Sequence, residues 1–260
     1  MKITKYEINT SKINSSLNIA CVSDVHGRKS DAVVDALKSL TPDIILLAGD
    51  IVEVSNEFMR ERNKNAMRFL EQISGIAPIY YCFGNHEIYY SHTPKEIDRV
   101  PNMEMEIETV KRIKELGINI INDSFERISY GDSNFLVGGL VCGRDMDPAL
   151  NVSEPDLEFL SQFDRENEFK ILLCHYPHYY KKYLEDTSFD LILSGHAHGG
   201  QWRLFGRGLY APHQGVLPQY TTGIYDGRFI ISRGAVNNSR YFPRLFNPCE
   251  IVHIHITPKK

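Results

Sequence analysis

The chain has 260 residues, 42% of them apolar and 24% charged, with a formal net charge of −4 and a pI near 6.2. These values fit a globular protein with one large core and exclude the basic face of a nucleic-acid gripper. No stretch approaches the roughly 20 apolar residues of a membrane span, and five cysteines without CxxC spacing exclude a disulfide framework.

In chain order, residues 17–23 read as a strand, 31–40 as a helix and 43–48 as a buried strand. Met59, Ala66, Met67, Leu70 and Ile73 recur at helical spacing and predict a helix over 58–74, with 78–83 as the next strand. This βαβαβ alternation predicts a parallel sheet with helices on its faces. A segment with Pro94 and Pro101 leads to a charged helix over 103–116, which Gly117 ends. Short strands follow over 118–121, 124–129 and 134–141. A helix over 153–163 carries Pro155 in its first turn. Two strands, 169–174 and 189–193, precede a Gly-rich tail that reads as all β from 206 onward. The alternating run 251–256 is expected to be an edge strand with His253 and His255 on its solvent face. No repeat or linker interrupts the chain, so residues 1–260 are expected to form a single domain.

Four of the cysteines, Cys21, Cys82, Cys142, Cys174 and Cys249 being the full set, lie in apolar strand-like contexts and read as small buried hydrophobes. The N-terminus has no apolar core of signal length, and a cytoplasmic location is expected.

Five motifs stand where apolar runs stop: Asp24-Val25-His26, Gly49-Asp50, Gly84-Asn85-His86-Glu87, His175, and Gly195-His196-Ala197-His198. Open α/β sheets bind ligands at the carboxyl ends of their strands. Asp24 and His26, two apart on extended backbone, can reach one cation from the same side. A carboxylate such as Asp50, at a neighbouring strand end, can bridge two cations. Asn85 offers a neutral oxygen ligand, and His86 beside it is placed for a general acid or an electrostatic clamp on a phosphoryl oxygen. His196 and His198 repeat the two-apart spacing between glycines. Imidazole with carboxylate suits Mn, Fe, Zn or Co better than Mg or Ca. Glu53 is expected to be a solvated surface residue. His92, His178 and His213 show no partner pattern and are expected to be structural.

In this order the motifs resemble those of the calcineurin-like metallophosphoesterase superfamily, across residues 24 to 198. The extended run Gly195 to Gln201, Gly-His-Ala-His-Gly-Gly-Gln, resembles a bacterial branch of predicted phosphohydrolases that includes phosphodiesterases and pyrophosphatases. The resemblance implies an α/β fold, a four-layer α/β/β/α sandwich of two mixed sheets flanked by helices. It implies two divalent transition-metal ions (Mn, Fe or Zn): one on Asp24, His26, Asp50 and His198, the other on Asp50, Asn85, His175 and His196. His86 would be the acid or phosphate-binding histidine. Two such cations lower the pKa of a bridging water, and the hydroxide attacks phosphorus in line.

The expected activity is therefore hydrolysis of a phosphodiester or pyrophosphate bond in a small phosphorylated substrate. A nuclease or nucleotide phosphodiesterase of the same superfamily is the enzymatic alternative, and a non-catalytic scaffold the other. Trp202, Leu204, Phe205, Leu209 and Tyr210, with Tyr89, Tyr90, Tyr176, Tyr179 and Tyr180, either wall a pocket or pack as core and rim. Arg233, Arg240 and Arg244 either hold a distal phosphate or lie on the surface, and the surface is the expectation.

Overall fold

The structure, a computed structural model, describes residues 1–53, 60–87, 103–141, 146–147, 151–152, 154–237 and 243–259. The first sheet contains β1 (Lys2–Thr10), β2 (Leu17–Val22), β3 (Ile44–Ala48), β4 (Ile79–Cys82) and β5 (Asn119–Ile120). The second contains β6 (Ser124–Tyr130), β7 (Ser133–Leu140), β8 (Phe169–Cys174), β9 (Leu191–Ser194), β10 (Gly223–Tyr225) and β11 (Phe229–Ile231). The chain then returns to the first sheet with β12 (Glu250–Pro258). The orders are β1-β12-β2-β3-β4-β5 and β10-β11-β9-β8-β7-β6. Both sheets are mixed: β2, β3, β4 and β5 run parallel, β12 is antiparallel to β2, and β6 and β10 are antiparallel edges of the second sheet.

Side chains alternate along each central strand, and this alternation builds the layers. In β3, Ile44, Leu46 and Ala48 enter a core shared with Phe169, Ile171 and Leu173 of β8, so the sheets pack face to face. Ile45 and Leu47 point the other way, toward α1 (Asp31–Leu40), α2 (Arg60–Ile73) and α3 (Met103–Glu115). On the far side of the second sheet, Leu172 and Ile192 meet Phe159, Leu160 and Phe163 of α4 (Leu157–Asp164) and Tyr180 and Leu184 of the helical turns that follow β8. The expected four layers are present.

Two local expectations fail. The helix expected from 153 begins at Leu157, because the Asp156 carboxylate accepts from Phe159 N at 2.9 Å and caps it there; Pro155 lies before the cap. The run 251–256 is not at an edge. β12 lies between β1, parallel, and β2, antiparallel, and His253 and His255 are half-buried. A partner nearly 250 residues away leaves no local mark on a strand. Cys21, Cys82 and Cys174 are buried free thiols, and Cys249 is half-buried. Cys142 lies outside the described residues.

Candidate metal centre

The carboxyl ends of β2, β3 and β4 meet those of β8 and β9, and each strand contributes from the loop that follows it. Five of the seven candidate ligands turn sharply off their strands with positive φ: Asp24 (56°), His26 (51°), Asp50 (58°), His196 (65°) and His198 (46°). This region costs an L-residue about 1–2 kcal/mol, less for Asp and His than for bulkier side chains. The loops hold one another in it. Asp24 N donates to Gly49 O (3.0 Å), His26 N to Asp50 O (2.9 Å) and Gly195 N to His175 O (3.2 Å). Glycines leave room for this approach. A Cβ at Gly84 would stand 2.3 Å from Asp50 Oδ1, and one at Gly195 would stand 2.6 Å from Asp24 Oδ2.

All seven candidates and His86 come together. Asp24, His26 and His198 form one group able to hold a cation, and Asp50, His175 and His196 form another. Asp50 Oδ2 lies 3.1 Å from His175 Nε2 and 3.7 Å from His26 Nε2, so it faces both groups. Asn85 Oδ1 lies 3.0 Å from His196 Nδ1, beside the second. His175 Nδ1 donates to Ala48 O at 2.7 Å, which turns Nε2 inward. That nitrogen is buried, 3.1 Å from Asp50 Oδ2 and 4.0 Å from Asp24 Oδ1, without a well-aligned hydrogen bond to either. An orphaned imidazole nitrogen beside two carboxylates suits a cation.

Electrostatics agree. Burial alone would raise the Asp50 carboxyl, but His175, His86 and His26 hold it well below the usual range. Burial opposes protonation of His175 and His86, yet the carboxylates, Asp50 foremost, lift them to about 9 and about 10. A site that draws protons this strongly has negative charge in excess. Burial depresses His196 well below its ordinary value and His198 to about 4, keeping both neutral, as ligating imidazoles must be. The described residues thus fit metal ions.

Glu53 overturns its expected surface position. It is 4% exposed, and its Oε1 and Oε2 accept from His26 Nδ1 (3.2 Å) and His86 Nδ1 (2.7 Å), while Arg62 donates to Oε1 at 2.8 Å. Burial would raise its carboxyl, but these two histidines pull it down to about 2. Glu53 therefore turns the Nε2 atoms of His26 and His86 into the site. Glutamine has only one acceptor oxygen and can serve only one ring. Glu53→Gln should lower metal affinity and turnover about 10- to 100-fold, the usual cost of losing a partner behind a ligating histidine. Chelator competition and kcat, measured on one preparation, check both.

Glu87 binds no candidate site. Its carboxylate accepts from Asp50 N (2.9 Å), Ile51 N (2.5 Å), Val52 N (3.0 Å) and Gly84 N (2.8 Å), and from Tyr81 Oη. It pins the Asp50 loop to the Asn85 loop.

Three more residues were not legible as neighbours of the site. His213 Nδ1 lies 3.0 Å from His196 Nε2, with the rings stacked at 5.1 Å, and His178 packs against His213 at 5.0 Å. Arg244 Nη2 donates to His198 Nδ1 at 3.1 Å and to Val236 O, so this arginine is a part-buried neighbour of the centre. Arg233 is paired with Glu250 at 2.6 Å and is part-buried, not on the surface as expected. Tyr176, Tyr179 and Tyr180 are buried as core, whereas Trp202, Leu204, Phe205 and Tyr210 are exposed. His92, Tyr89, Tyr90 and Arg240 lie outside the described residues.

A family model described as calcineurin-like phosphoesterase matches residues 17–200. The chain is 25% identical over 272 residues to the uncharacterised metallophosphoesterase Cj0846 of Campylobacter jejuni, covering 100% of this chain and 64% of that protein. It is 28% identical over 181 residues to the phosphodiesterase YaeI of Escherichia coli K12, covering 67% of this chain and 55% of that protein. Among solved structures, the NAD nucleotidase of Haemophilus influenzae matches with a TM-score of 0.50 at 15% identity, covering 71% of this chain and 39% of that one. A likeness at that identity concerns the fold alone. The chain spans less than two thirds of the length of each of these proteins.

Proposed function

The chain belongs to the calcineurin-like phosphoesterase family, and from that membership we propose a dinuclear metal-dependent phosphohydrolase that cleaves phosphodiester or pyrophosphate bonds. The position of Asp50 Oδ2, facing His175 in one ligand group and His26 in the other, is the observation that carries the dinuclear reading. Asp24, His26, Asp50 and His198 would hold one ion, and Asp50, Asn85, His175 and His196 the second. Bound there, two divalent ions would polarise phosphoryl oxygens and supply an acidified water as nucleophile.

The chain's own residues do the rest. The His86 side chain is 36% exposed, against 12% for His198 and 0–2% for His26, His175 and Asp50, so it can meet a substrate that those ligands enclose. Glu53 anchors its Nδ1 and leaves Nε2–H free to donate to the leaving oxygen. Asp50 and Glu53 raise this ring to about 10 without metal; bound cations would offset the share of Asp50 and leave Glu53 as the partner that favours the proton. A diester substrate is supported by the likeness to a protein named a phosphodiesterase and by the Gly195–Gln201 motif. Residues 1–260 act as one domain in this proposal, since both sheets supply ligands. We place it in the cytoplasm, where the Cys21, Cys82 and Cys174 thiols stay reduced.

Protein purified without chelator and reconstituted with Mn should bind close to two equivalents by elemental analysis, and a ratio that never exceeds one overturns the dinuclear assignment. Bis-p-nitrophenyl phosphate, p-nitrophenyl phosphate, cyclic nucleotides and nucleoside diphosphate sugars, assayed side by side, identify the bond cleaved.

A further inference from the structure

Large apolar side chains left in solvent are unevenly distributed. Among the described residues, eight of the twelve fall between Trp202 and Leu217 or at Leu245 and Phe246. The most exposed are Phe205 (105%), Phe246 (81%), Val216 (78%) and Leu217 (64%). They are carried on an ordered scaffold. Arg203–Leu204 pairs with Arg207–Gly208, and Tyr210–Ala211 pairs with Gly215–Val216. Leu209 N donates to Trp202 O (2.9 Å), Leu217 N to Leu209 O (2.9 Å) and Trp202 Nε1 to Pro243 O (2.8 Å), which joins both ribbons to the 243–247 segment. Phe205, Leu217 and Phe246 all have positive φ, at 50°, 54° and 53°. A bulky residue adopts that region only under constraint, and here the strain presents three apolar side chains to water.

The charge of the same stretch departs from that of the chain. Residues 191–249 contain six arginines, one carboxylate (Asp226) and no lysine, in a protein of net charge −4. Asp226 itself accepts from Tyr180 Oη at 2.7 Å. Of the described arginines, Arg207 is exposed and Arg203 half-buried within the ribbons, Arg233 is paired with Glu250, and no Asp or Glu lies in 202–217 or 243–249. Apolar tips with cationic and no acidic neighbours in these segments match an interface whose outer layer is anionic and whose interior is hydrocarbon.

We propose that the ribbons over 203–216, together with Leu245 and Phe246, dock this protein on the surface of an anionic lipid bilayer. Phe205, Val216, Leu217 and Phe246 enter the acyl boundary, and arginines such as the exposed Arg207 lie at headgroup level. A second copy of the chain is disfavoured as occupant, because residues 202–217 carry two arginines and no acid, so two copies would offer each other no charge partner there. Nucleic acid is disfavoured because half of the exposed side chains, Leu204, Val216, Leu217 and Leu245, are aliphatic and offer no stacking plane. No helix among the described residues is long and apolar enough to cross a membrane, so the contact proposed is peripheral. The same ribbons border the candidate metal centre: Gly200, two residues after His198, accepts from Leu209 N at 3.1 Å, and the turn between the second pair carries His213 to His196. Docking would bring that centre to the membrane surface.

The test is sedimentation of the full chain with vesicles, which needs no substrate and is independent of the proposed hydrolysis. Vesicles containing phosphatidylglycerol are compared with pure phosphatidylcholine at about 0.1 M salt, where charge attraction is screened but not abolished. The wild type should bind the anionic vesicles and not the neutral ones. The double variant Phe205→Ser/Leu217→Ser should lose about tenfold in bound fraction, while its circular dichroism and melting temperature stay unchanged. Failure of the wild type to bind anionic vesicles overturns the proposal, and so does undiminished binding by the folded double variant. A lipid-free dimer seen by light scattering and lost in the variant, or RNA capture without vesicle binding, assigns the face to another occupant and overturns it equally.

Discussion

Asp50→Asn is expected to lower kcat/KM on the order of 10³-fold, more than any other single change of a candidate metal ligand. Losing one electrostatic stabiliser in a water-poor site typically costs 10²–10³. Asp50 stands at the top of that range because it faces both ligand groups, through His175 at 3.1 Å and His26 at 3.7 Å. Asparagine keeps the oxygen that accepts from His86 N (2.9 Å) and so preserves the loop, but it removes the charge. Metal content should fall below two equivalents while the melting transition persists. His26→Ala is the comparison, since it removes one imidazole from one group and should leave the other group loaded. Near-normal turnover with two bound ions in Asp50→Asn would show that Asp50 does not bridge.

The second large effect belongs to His86. His86→Asn should keep near-normal metal occupancy and lose about 10²–10⁴ in kcat, the usual range for a general acid. Its Nε2 stands 3.9 Å from Asp50 Oδ2 and belongs to neither of the two groups centred on Asp24 and Asp50. The loss should shrink for p-nitrophenolate, a leaving group that needs little protonation. An equal loss for good and poor leaving groups would assign His86 to charge stabilisation of the phosphoryl oxygens. Loss of metal would make it a ligand, for which the group His26, Glu53 and His86 offers the donors.

The candidate site was largely legible in the sequence, for a physical reason. A strand buried on both faces is a continuous apolar run, and its end is where polar side chains first become affordable, so Asp24, Asp50, Asn85, His175 and His196 announce themselves by following such runs. Glu53 was misread because it lies three residues beyond Asp50, where a turn also ends in solvent for most proteins. Only the approach of His26 and His86 makes it a buried acceptor. His213 and Arg244 arrive from ribbons and loops that carry no periodic signal, so nothing local ties them to His196 and His198. In the fold, the βαβαβ half was readable from hydrophobic spacing. β1 was not, because its half-exposed alternation leaves few apolar residues to mark it, and its parallel partner β12 lies at the other end of the chain.

That pairing has a consequence for synthesis. Residues 2–10 leave the ribosome well before their sheet partner, residues 250–258, so β1 waits without that neighbour while the intervening chain is made. β2 waits too on one side, since β12 is its antiparallel partner there. Synthesis at about 5–20 residues per second leaves these edges unpaired for many seconds. The helices of the first half can pack on β2, β3 and β4 in that interval, but the sheet beneath them stays open along one side. A nascent chain stalled before residue 250 would therefore expose β2 as a pairing edge, and chaperone contact or aggregation should concentrate on such arrested forms rather than on the finished protein.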